Sequence, residues 1–333
     1  MKVLIAGGAG FIGSTVASAC LDAGITPVIL DSLVTGRREF TEGRLFYEGD
    51  IADGALIDRI FAEHPDIDAV VHAAALIVVP ESVSEPLRYY RENVSKSIDF
   101  IEHLTRNGCD RYLFSSSGSI YAPGPDFTVD ESSPLAPTNP YSRTKVVMEM
   151  VLEDAAAASP LRVISLRYFN PVGADPQLRT GLQQRRPTHL LGRLLVAVEN
   201  DEEFQLTGVD WPTRDGSGIR DFIHVWDLAQ AHVAALQRFD SVVPPGRDGR
   251  YEVINLGTGS GTTVKEFVAA FVTATGLPLK ITEADRRPGD FIGWYTRSDR
   301  ARDLLDWTPE LSIEQAIRDS QAWSAIRDTR LSA

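Results

Sequence analysis

A tyrosine and a lysine lie four residues apart, at Tyr141 and Lys145 in the run YSRTK. If this stretch is helical, the i, i+4 spacing places both side chains on one face. A free tyrosine has a pKa of about 10 and is a poor base at neutral pH. A lysine ammonium one turn away would favour the phenolate, so the pair predicts a general base. The alternative interpretation is a surface helix pair without a chemical role.

Three consecutive serines, Ser115, Ser116 and Ser117, close a candidate strand that begins at Tyr112. Ligands of open α/β folds bind at the carboxyl ends of the strands. A serine in that place can hydrogen-bond both the oxygen of the tyrosine and an oxygen of a substrate. Without Tyr141 and Lys145, a polar turn at the end of a strand would be the better interpretation.

Gly7, Gly10 and Gly13 form G-x-x-G-x-x-G directly after an apolar strand and at the start of a helix. Glycine allows the tight turn and the close approach of a pyrophosphate, and the helix N-terminus supplies free N–H groups. Asp31 ends the next strand, where a carboxylate accepts hydrogen bonds from an adenosine ribose. The motif predicts a dinucleotide site that prefers NAD, since Asp31 would repel a 2′-phosphate. Arg37 and Arg38 follow closely and leave NADP open.

The positive nicotinamide ring of NAD+ would add to the effect of Lys145 and favour the phenolate of Tyr141. Asp50 ends the third strand in the run EGDI, where an acid could meet the adenine amino group. A loop cap is an equally good interpretation of Asp50 by itself.

Short apolar runs alternate with helical patterns through the first half of the chain. The predicted strands are Val3–Ala6, Pro27–Asp31, Leu45–Glu48, Ala69–Ala73, Tyr112–Ser115 and Val163–Arg167. The predicted helices are Ile12–Ala23, Ala55–Glu63, Leu87–Thr105 and Tyr141–Ala156. Buried parallel strands have this near-continuous apolar character, so the fold class is α/β, with a Rossmann-type doubly wound parallel sheet.

The alternation breaks after Arg167, and residues 171–188 are rich in Pro, Gly, Gln and Arg. Further along, the sequence predicts helices at Leu190–Glu199 and Val264–Thr275, a short strand near Phe204–Leu206, and a helix near Asp227, a good N-cap. Val253–Leu256 is expected to be one more strand of the main sheet. We therefore predict a dinucleotide-binding domain over residues 1–170 and a smaller lobe over 171–333, interleaved with the main sheet.

Composition excludes several classes of protein. The 33 basic and 46 acidic residues give a net charge of −13, which argues against broad binding to nucleic acid or to anionic membranes. Two cysteines, Cys20 and Cys109, do not make a disulfide scaffold or a zinc site, and no metal site is expected. No apolar run approaches the roughly 20 residues that span a bilayer. We expect a soluble cytoplasmic protein.

Beyond these motifs, the chain resembles the extended short-chain dehydrogenase/reductase superfamily and, within it, the UDP-glucose (UDP-galactose) 4-epimerases. The resemblance covers about residues 1–325. It rests on the runs GGAGFIGS, ILDSL, EGDI, VVHAAAL, ESVSEPLRYYRENV, FSSSGSIY, NPYSRTK, LRYFNPVGA, DGSGIRDFIHVWDLA, INLGTGSG and RRPGD.

Matched position by position, the resemblance implies Ser117, Tyr141 and Lys145 as catalytic residues. It implies tightly bound NAD, in contact with Gly7, Gly10, Phe11, Ile12, Gly13, Asp31, Ser32, Asp50, Ile51, Ala73, Ala74, Ala75, Asn93, Tyr141, Lys145 and Phe169. It implies a UDP-sugar substrate held by Ser117, Tyr141, Asn170, His189, Leu190, Arg193, Thr207, Arg220, Arg287, Asp290 and Trp294. Arg220 and Arg287 suit a diphosphate, because a guanidinium binds phosphate in a bidentate manner. An Arg–Asp surface pair is the alternative for each.

The resemblance implies 4-epimerisation of a UDP-hexose. The Tyr141 phenolate takes the 4-hydroxyl proton, C4 is oxidised by NAD, the 4-keto sugar turns about its link to the diphosphate, and C4 is reduced from the other face. A 4,6-dehydratase is disfavoured because Ser-Ser-Ser-Gly stands where Thr-Asp-Glu is typical, and a decarboxylase because no added acid is seen. A non-catalytic NAD-binding regulator is disfavoured because Ser117, Tyr141 and Lys145 are all present.

Four residues depart from the family pattern. Ile77 stands where a lysine is frequent, Pro80 where glycine is usual, His189 where an asparagine often meets the UDP, and Trp294 in place of a tyrosine or smaller residue. These departures bear on the identity of the substrate more than on the type of reaction.

A cluster of arginines, Arg185, Arg186 and Arg193, flanks His189. Arg193 follows His189 by four residues, so on a helix the two would share a face. An arginine aimed at C6 would bind a carboxylate, which makes a UDP-glucuronate 4-epimerase the alternative. In the blander interpretation, the arginines are solvated or bind the phosphates.

A homodimer joined by a four-helix bundle is the predicted assembly. The helices Leu87–Thr105 and Tyr141–Ala156 carry apolar residues on more than one face, and the resemblance implies the same pairing. These residues are Ile98, Ile101, Leu104, Val146, Val147, Met150 and Val151. The alternative is that both helices only cover the sheet.

Overall fold

The computed structural model describes residues 1–122, 124, 126–185, 187–246, 249–286 and 291–331. Its strands are β1 Lys2–Ala6, β2 Thr26–Asp31, β3 Leu45–Glu48, β4 Ile67–His72, β5 Arg111–Ser115, β6 Thr128–Val129, β7 Arg162–Tyr168, β8 Asn170–Val172, β9 Glu203–Thr207, β10 Ile219–Arg220, β11 Phe222–His224, β12 Tyr251–Leu256, β13 Thr262–Thr263, β14 Lys280–Ala284 and β15 Tyr295–Thr296. Its α-helices are α1 Phe11–Asp22, α2 Gly54–Glu63, α3 Val79–Ser84, α4 Pro86–Tyr90, α5 Lys96–Arg106, α6 Pro140–Ala158, α7 Leu190–Glu199, α8 Val225–Gln237, α9 Phe239–Val242, α10 Val264–Thr275, α11 Asp299–Leu305 and α12 Ile313–Arg330.

The main sheet has seven strands in the order β12-β7-β5-β4-β1-β2-β3, and every neighbouring pair is parallel. The predicted doubly wound fold is therefore confirmed, and so is β12 as a strand of the main sheet. Chain order reverses between β1 and β4, and a crevice at the carboxyl ends of strands flanking such a reversal is where these folds bind ligands. Gly7, after β1, and the loop after β4 both lie at this edge.

Helices cover both faces of the sheet and close two apolar cores. On one face α1 packs against α8, and the core there includes Val16, Ile29, Leu228 and Ile254. On the other face α2, α5 and α6 enclose a core that includes Leu56, Phe100 and Leu152. The strands are buried on both sides, which explains their near-continuous apolar runs.

The segment predicted as one helix, Leu87–Thr105, is helical throughout but contains a π-helical turn. Pro86 begins α4, a π-helical turn spans Arg91–Ser95, and α5 follows from Lys96. The short helix α3, which contains Pro80, comes before them and is not anticipated by the sequence. The apolar spacing predicts a helix here but does not reveal a π turn, because a π turn adds one residue to a turn without ending the helix.

The sequence predicts a helix that begins near Asp227, and α8 begins two residues earlier, but the prediction that Asp227 is its N-cap is wrong. Helix α8 begins at Val225, and His224 caps it by accepting the N–H of Trp226 on Nδ1. The Asp227 carboxylate instead accepts the N–H groups of Glu310 and Leu311, before α12. An acidic residue near a helix start suits either role, and the burial of this one selects the long-range contact.

The C-terminal lobe forms a third core from α7, α10, α12 and the strand pair β9–β14, with Leu194, Phe204, Phe267 and Ile317 among its residues. The helices α7 and α10 begin and end where the sequence predicts. Across the described ranges, no helix is both long and apolar enough to cross a membrane. In the same residues, no group of three His, Cys, Asp or Glu side chains is arranged to hold a metal ion.

Candidate active site

Helix α6 places Tyr141 and Lys145 at the carboxyl end of β5. Asn139 caps the helix by accepting the N–H of Ser142 at 2.9 Å, and Pro140 occupies the first helical position. These two residues fix the first turn of α6, which contains Tyr141. The Lys145 Nζ donates to the carbonyl of Ser115 at 2.7 Å and lies 4.8 Å from the centre of the Phe114 ring. The predicted helical pair is therefore formed, directed at the serines of β5.

Burial dominates the ionisation of both groups. It lowers the pKa of Lys145 to about 8, against the opposing charge of Glu149. It raises the pKa of Tyr141 above the usual 10, while a hydrogen bond with Ser117 opposes that rise. The protein alone therefore keeps Tyr141 protonated at neutral pH, and a positive charge brought in beside it would favour the phenolate.

Ser117 lies in a tight turn of hydroxyl groups between β5 and α6. Its Oγ donates to the Oγ of Ser119 at 2.9 Å and accepts the N–H of Ser119 at 3.2 Å. The Ser142 Oγ lies 2.9 Å from the same Ser119 Oγ, which ties the turn to the first turn of α6. The structure thus brings Ser117, Tyr141 and Lys145 together, as predicted.

A buried ion pair beneath these residues is not anticipated by the sequence. Glu149 accepts from Ser116 at 2.5 Å and pairs with Arg167 through both carboxylate oxygens, and both side chains of the pair are about 6% exposed. Arg167 also donates to the Tyr121 hydroxyl at 2.7 Å. Glu149 follows Lys145 by one turn, and that repeated i, i+4 spacing is the signal that could have indicated it.

The glycine loop after β1 provides the close approach that a dinucleotide needs. A Cβ on Gly13 would lie 2.2 Å from the Gly7 carbonyl oxygen, and one on Gly7 would lie 2.6 Å from the backbone nitrogen of Ala74. Gly7 has a φ of +79°. Gly10 is the N-cap residue of α1 and makes no side-chain hydrogen bond to the helix, so the N–H groups at this helix N-terminus can bind a ligand. The residues present fit a bound pyrophosphate.

Asp31 is held at the end of β2 by two backbone groups. Its carboxylate accepts from Ala9 N at 2.9 Å and from Leu33 N at 2.8 Å, and burial raises its pKa against those two bonds. Arg38, which left NADP open, forms an ion pair with Glu48 and lies over the Phe46 ring. This arrangement supports NAD over NADP, because the nearby acid is in place and Arg38, one of the two nearby arginines, is already paired.

Two other predicted cofactor residues also organise the surrounding loops. Asp50 pairs with the Lys96 Nζ at 2.6 Å, a partner that the sequence does not reveal. The Asn93 amide, in the π turn, accepts from Leu76 N at 2.8 Å and donates to Leu76 O and to Thr144 Oγ1. Asn93 thereby joins the loop after β4 to α6.

Phe169 lies against the serine turn, since a Cβ on Gly118 would be 2.4 Å from its ring. Of the predicted substrate residues, Asn170 is exposed on β8 and Thr207 is half-buried at the end of β9. Arg220 donates to the carbonyls of Ile292 at 2.9 Å and Phe291 at 3.1 Å. Arg287 and Asp290 lie outside the described residues.

His189 and Arg193 do not share a helix face in the predicted sense. His189 precedes the first residue of α7 and caps it, with Nδ1 accepting Gly192 N at 3.3 Å, and burial lowers its pKa to about 4. The Arg193 guanidinium carbon lies 5.7 Å from the centre of the Phe204 ring, in the core of the C-terminal lobe. Arg185 pairs with Asp328 at 3.2 Å, and Arg186 is outside the described residues.

The remaining departures from the family pattern have clear positions. Ile77 is 59% exposed, beside the loop that Asn93 holds. Pro80 is the second residue of α3, where its missing N–H costs no helical hydrogen bond. Trp294 is 9% exposed and its Nε1 donates to the Gly118 carbonyl at 2.8 Å, so this tryptophan touches the turn that carries Ser117.

Known proteins match the chain along most of its length. The model of the NAD dependent epimerase/dehydratase family matches residues 3–257. A UDP-glucose 4-epimerase of Azospirillum brasilense is 41% identical over 97% of this chain and 91% of its own. Among solved structures, a UDP-glucose 4-epimerase from Stenotrophomonas maltophila, with bound NAD and formylated UDP-arabinopyranose, superposes with a TM-score of 0.92 at 35% identity over 99% of both chains. One from Bifidobacterium longum, in complex with NAD+ and UDP, gives a TM-score of 0.88 at 34% identity over 98% of both.

Proposed function

The chain belongs to the NAD dependent epimerase/dehydratase family, and from this premise we propose that it is an NAD-dependent 4-epimerase of a UDP-hexose of the UDP-glucose/UDP-galactose type. The observation that carries the proposal is the convergence of Ser117, Tyr141 and Lys145 at the carboxyl end of β5. The relatives named above as UDP-glucose 4-epimerases support the same activity over nearly the whole chain.

In this proposal Tyr141 is the general base that takes the proton from the 4-hydroxyl of the sugar. Ser117 hydrogen-bonds the tyrosine oxygen and the substrate oxygen, and it orients or relays the proton between them. Lys145 favours the phenolate of Tyr141 through its positive charge. When NAD is bound, it supplies the chemistry of taking a hydride from C4 of the sugar and giving it back.

The glycine loop, with Gly7, Gly10 and Gly13, would hold the pyrophosphate of NAD, and Asp31 would bind the adenosine ribose. Phe11, Ile12, Ser32, Ile51 and the alanines 73–75 would complete that site. Because hydride leaves and returns within one turnover, the reaction needs no net redox partner. NAD can therefore stay bound as a prosthetic group.

The diphosphate of the substrate would be gripped by the C-terminal lobe. We place Arg220 and Asn170 at that site, with His189, Leu190, Thr207, Arg287 and Asp290 by matched position. Binding energy from the UDP group lets the 4-keto sugar turn about its link to the diphosphate without leaving the enzyme. Trp294 would lie on the sugar side, close to Ser117.

The structure does not favour the UDP-glucuronate alternative. That alternative needs a guanidinium aimed at C6 of the sugar, and it was assigned to Arg193. Instead, the Arg193 guanidinium carbon lies 5.7 Å from the centre of the ring of Phe204, a residue of the core of the C-terminal lobe. A neutral hexose is therefore the substrate class we propose.

A homodimer is the assembly we propose. Large apolar side chains are exposed on α3, α4, α5 and α6, namely Val83 at 63%, Leu87 at 76%, Ile98 at 36% and Met150 at 59%. Ile101 and Leu104, which the sequence also predicted for the interface, are buried in the core of the subunit.

The cytoplasm is the location we propose. Both cysteines, Cys20 and Cys109, are free thiols, and a reducing compartment such as the cytoplasm keeps thiols in that state.

The test is a panel of UDP-sugars given to the purified protein. UDP-glucose, UDP-N-acetylglucosamine and UDP-glucuronate are incubated separately, and inversion at C4 is followed by NMR. We expect conversion of UDP-glucose to UDP-galactose without added NAD, and NAD released on denaturation. Conversion of UDP-glucuronate alone would favour the carboxylate alternative, and no conversion of any sugar by NAD-loaded protein would contradict the proposal.

A further inference from the structure

The turn that carries Ser117 is enclosed by two aromatic side chains. On one side, the Phe169 ring is so close to Gly118 that a Cβ there would be 2.4 Å from it. On the other side, the Trp294 indole packs with Ile120, Tyr121 and Val129. A side chain at position 118 would therefore displace the Phe169 ring, and the Gly118 carbonyl is the group that meets the indole.

The indole binds this carbonyl directly. The Trp294 Nε1–H donates to the Gly118 oxygen at 2.8 Å, in a buried contact between residues 176 positions apart. Gly118 lies between Ser117 and Ser119, which are joined by two hydrogen bonds of 2.9 and 3.2 Å. A displacement of the Gly118 peptide would therefore move the Ser117 hydroxyl.

The position of the indole is itself fixed from both sides of the chain. After it, β15 pairs with β6, with Tyr295 opposite Thr128. Before it, Gly293 has a φ of +93°, and a Cβ there would be 1.8 Å from the Ile219 carbonyl oxygen. The backbone on both sides of Trp294 is therefore held, which limits the positions that its buried indole can take.

The same segment also reaches the group we place on the diphosphate. The Phe291 ring centre lies 5.0 Å from that of Trp294, and the Arg220 guanidinium carbon lies 4.4 Å from the Phe291 ring centre. Contacts thus run without a break from Arg220, through Phe291 and Trp294, to the peptide beside Ser117.

We propose that Trp294 is a positioning residue for Ser117, acting through the hydrogen bond from its indole nitrogen to the Gly118 carbonyl. The proposal rests on the proposed function, because Ser117 is placed there as the hydroxyl that serves Tyr141. Of the aromatic residues, tryptophan is the one whose ring carries an N–H at this place. A phenylalanine would fill much of the space and leave the buried carbonyl without its donor.

The experiment is a double-mutant cycle between Trp294→Phe and Ser117→Ala, with kcat and KM measured for UDP-galactose. We expect Trp294→Phe to lower kcat by about 10-fold, less than the roughly 10²-fold that a misplacement of 1 Å can cost. In the Ser117→Ala background the same substitution should change kcat by less than about twofold, because the hydroxyl that it positions is gone. Equal losses in the two backgrounds would show that Trp294 acts independently of Ser117, and would overturn the proposal.

Trp307→Phe is the matched control. Trp307 is also buried, and its Nε1 donates to a backbone carbonyl, that of Asp227, at 3.1 Å, far along the chain from the serine turn. We expect this variant to lose thermal stability and keep its kcat. If both tryptophan variants lose kcat in proportion to stability, the effect of Trp294 is only structural and the proposal fails. If Trp294→Phe does not fold, Trp294→Met gives a second apolar side chain without an N–H or O–H donor, and the same expectations apply to it.

A second measurement does not depend on turnover. Ser117 opposes the rise in the pKa of Tyr141, so loss of its alignment should raise that pKa further. The ionisation of Tyr141 is followed by ultraviolet difference absorbance against the Tyr141→Phe version of each protein. We expect Trp294→Phe and Ser117→Ala to raise the pKa alike, and an unchanged value in Trp294→Phe would overturn the proposal. An inactive wild type that still gives these shifts would contradict the proposed function and leave the positioning role standing.

Discussion

Lys145 and Glu149 lie one turn apart on α6 and hold neighbouring residues of the same strand end. The Lys145 Nζ donates to the Ser115 carbonyl at 2.7 Å, and the Glu149 carboxylate accepts from the Ser116 hydroxyl at 2.5 Å. The charge of Glu149 also opposes the fall in the pKa of Lys145 that burial causes. One face of the helix therefore fixes both the place of Ser117 and the charge beside Tyr141.

Replacing Tyr141 by phenylalanine should remove turnover while leaving NAD bound. Loss of a general base costs about 10²–10⁴-fold in rate, and the phenol is the group placed to take the proton. The measurement is kcat for UDP-galactose together with the NAD content of the purified variant. Tyr47→Phe is the control, since the hydrogen bonds of the Tyr47 hydroxyl within the described part of the chain are with Glu63 and His64. Near-normal turnover of Tyr141→Phe would contradict the assignment of Tyr141 as the general base.

Activity should fall as the pH rises through about 8, the pKa to which burial lowers that of Lys145. The ammonium form exists below this pH, and its loss above it removes the charge that favours the phenolate of Tyr141. Glu149→Gln removes the charge that opposes this lowering, so the alkaline limb should move to lower pH. The measurement is kcat/KM from pH 6 to pH 10 for both proteins, and coincident alkaline limbs would contradict this account.

Arg167→Met should destabilise the protein strongly. It leaves the Glu149 carboxylate buried without its cation, and breaking a buried pair in this way costs about 3–5 kcal/mol. Arg38→Met is the matched control, because the Arg38–Glu48 pair is exposed, with side chains 62% and 53% accessible, and such pairs contribute about 0–1 kcal/mol. Urea unfolding measures the free energy of unfolding of each variant relative to the wild type. Equal losses in the two variants would show that the buried pair stabilises the protein no more than the exposed pair does.

The proposed dimer predicts that a charge on its apolar face yields monomers. Leu87→Glu and Met150→Glu each place a carboxylate on the exposed apolar face of α4 or α6, and desolvating it in an interface is costly. Ile281→Glu on β14 is the control, since Ile281 is 44% exposed on a different part of the molecule. Mass in solution at micromolar concentration gives the outcome, and a wild type that is already monomeric would refute the dimer.

The sequence was sufficient for the elements whose apolar pattern is local. The predicted strands and the helices α7 and α10 lie within about two residues of their observed bounds, because each has an apolar pattern over consecutive turns or residues. Tyr141, Lys145 and the glycine loop were found for the same reason, as their spacing is short. The roles of Asp227 and Arg193 were not found. The partner of Asp227, Leu311, lies far along the chain, and Arg193 lies over Phe204 on the strand that follows its own helix.

The indole of Trp294 is the clearest case of information that the sequence does not contain. Its identity marks a departure from the family, but its hydrogen bond to Gly118 exists only because β15 pairs with β6. Two-residue strands of this kind have no recognisable apolar pattern. The ion pair between Lys96 and Asp50 could not be predicted from the sequence either. The π turn directly before Lys96 changes the direction in which its side chain points, and a helical apolar spacing does not reveal such a turn.

The place of β12 at the edge of the main sheet bears on how the chain folds as it is synthesised. β12 pairs with β7 along its whole length, from Tyr251 opposite Val163 to Leu256 opposite Tyr168. Until Leu256 has left the ribosome, the outer edge of β7 has unpaired N–H and C=O groups, the kind of edge that recruits other strands. The nascent chain therefore completes the sheet that carries Ser117 only after most of the C-terminal lobe has been translated.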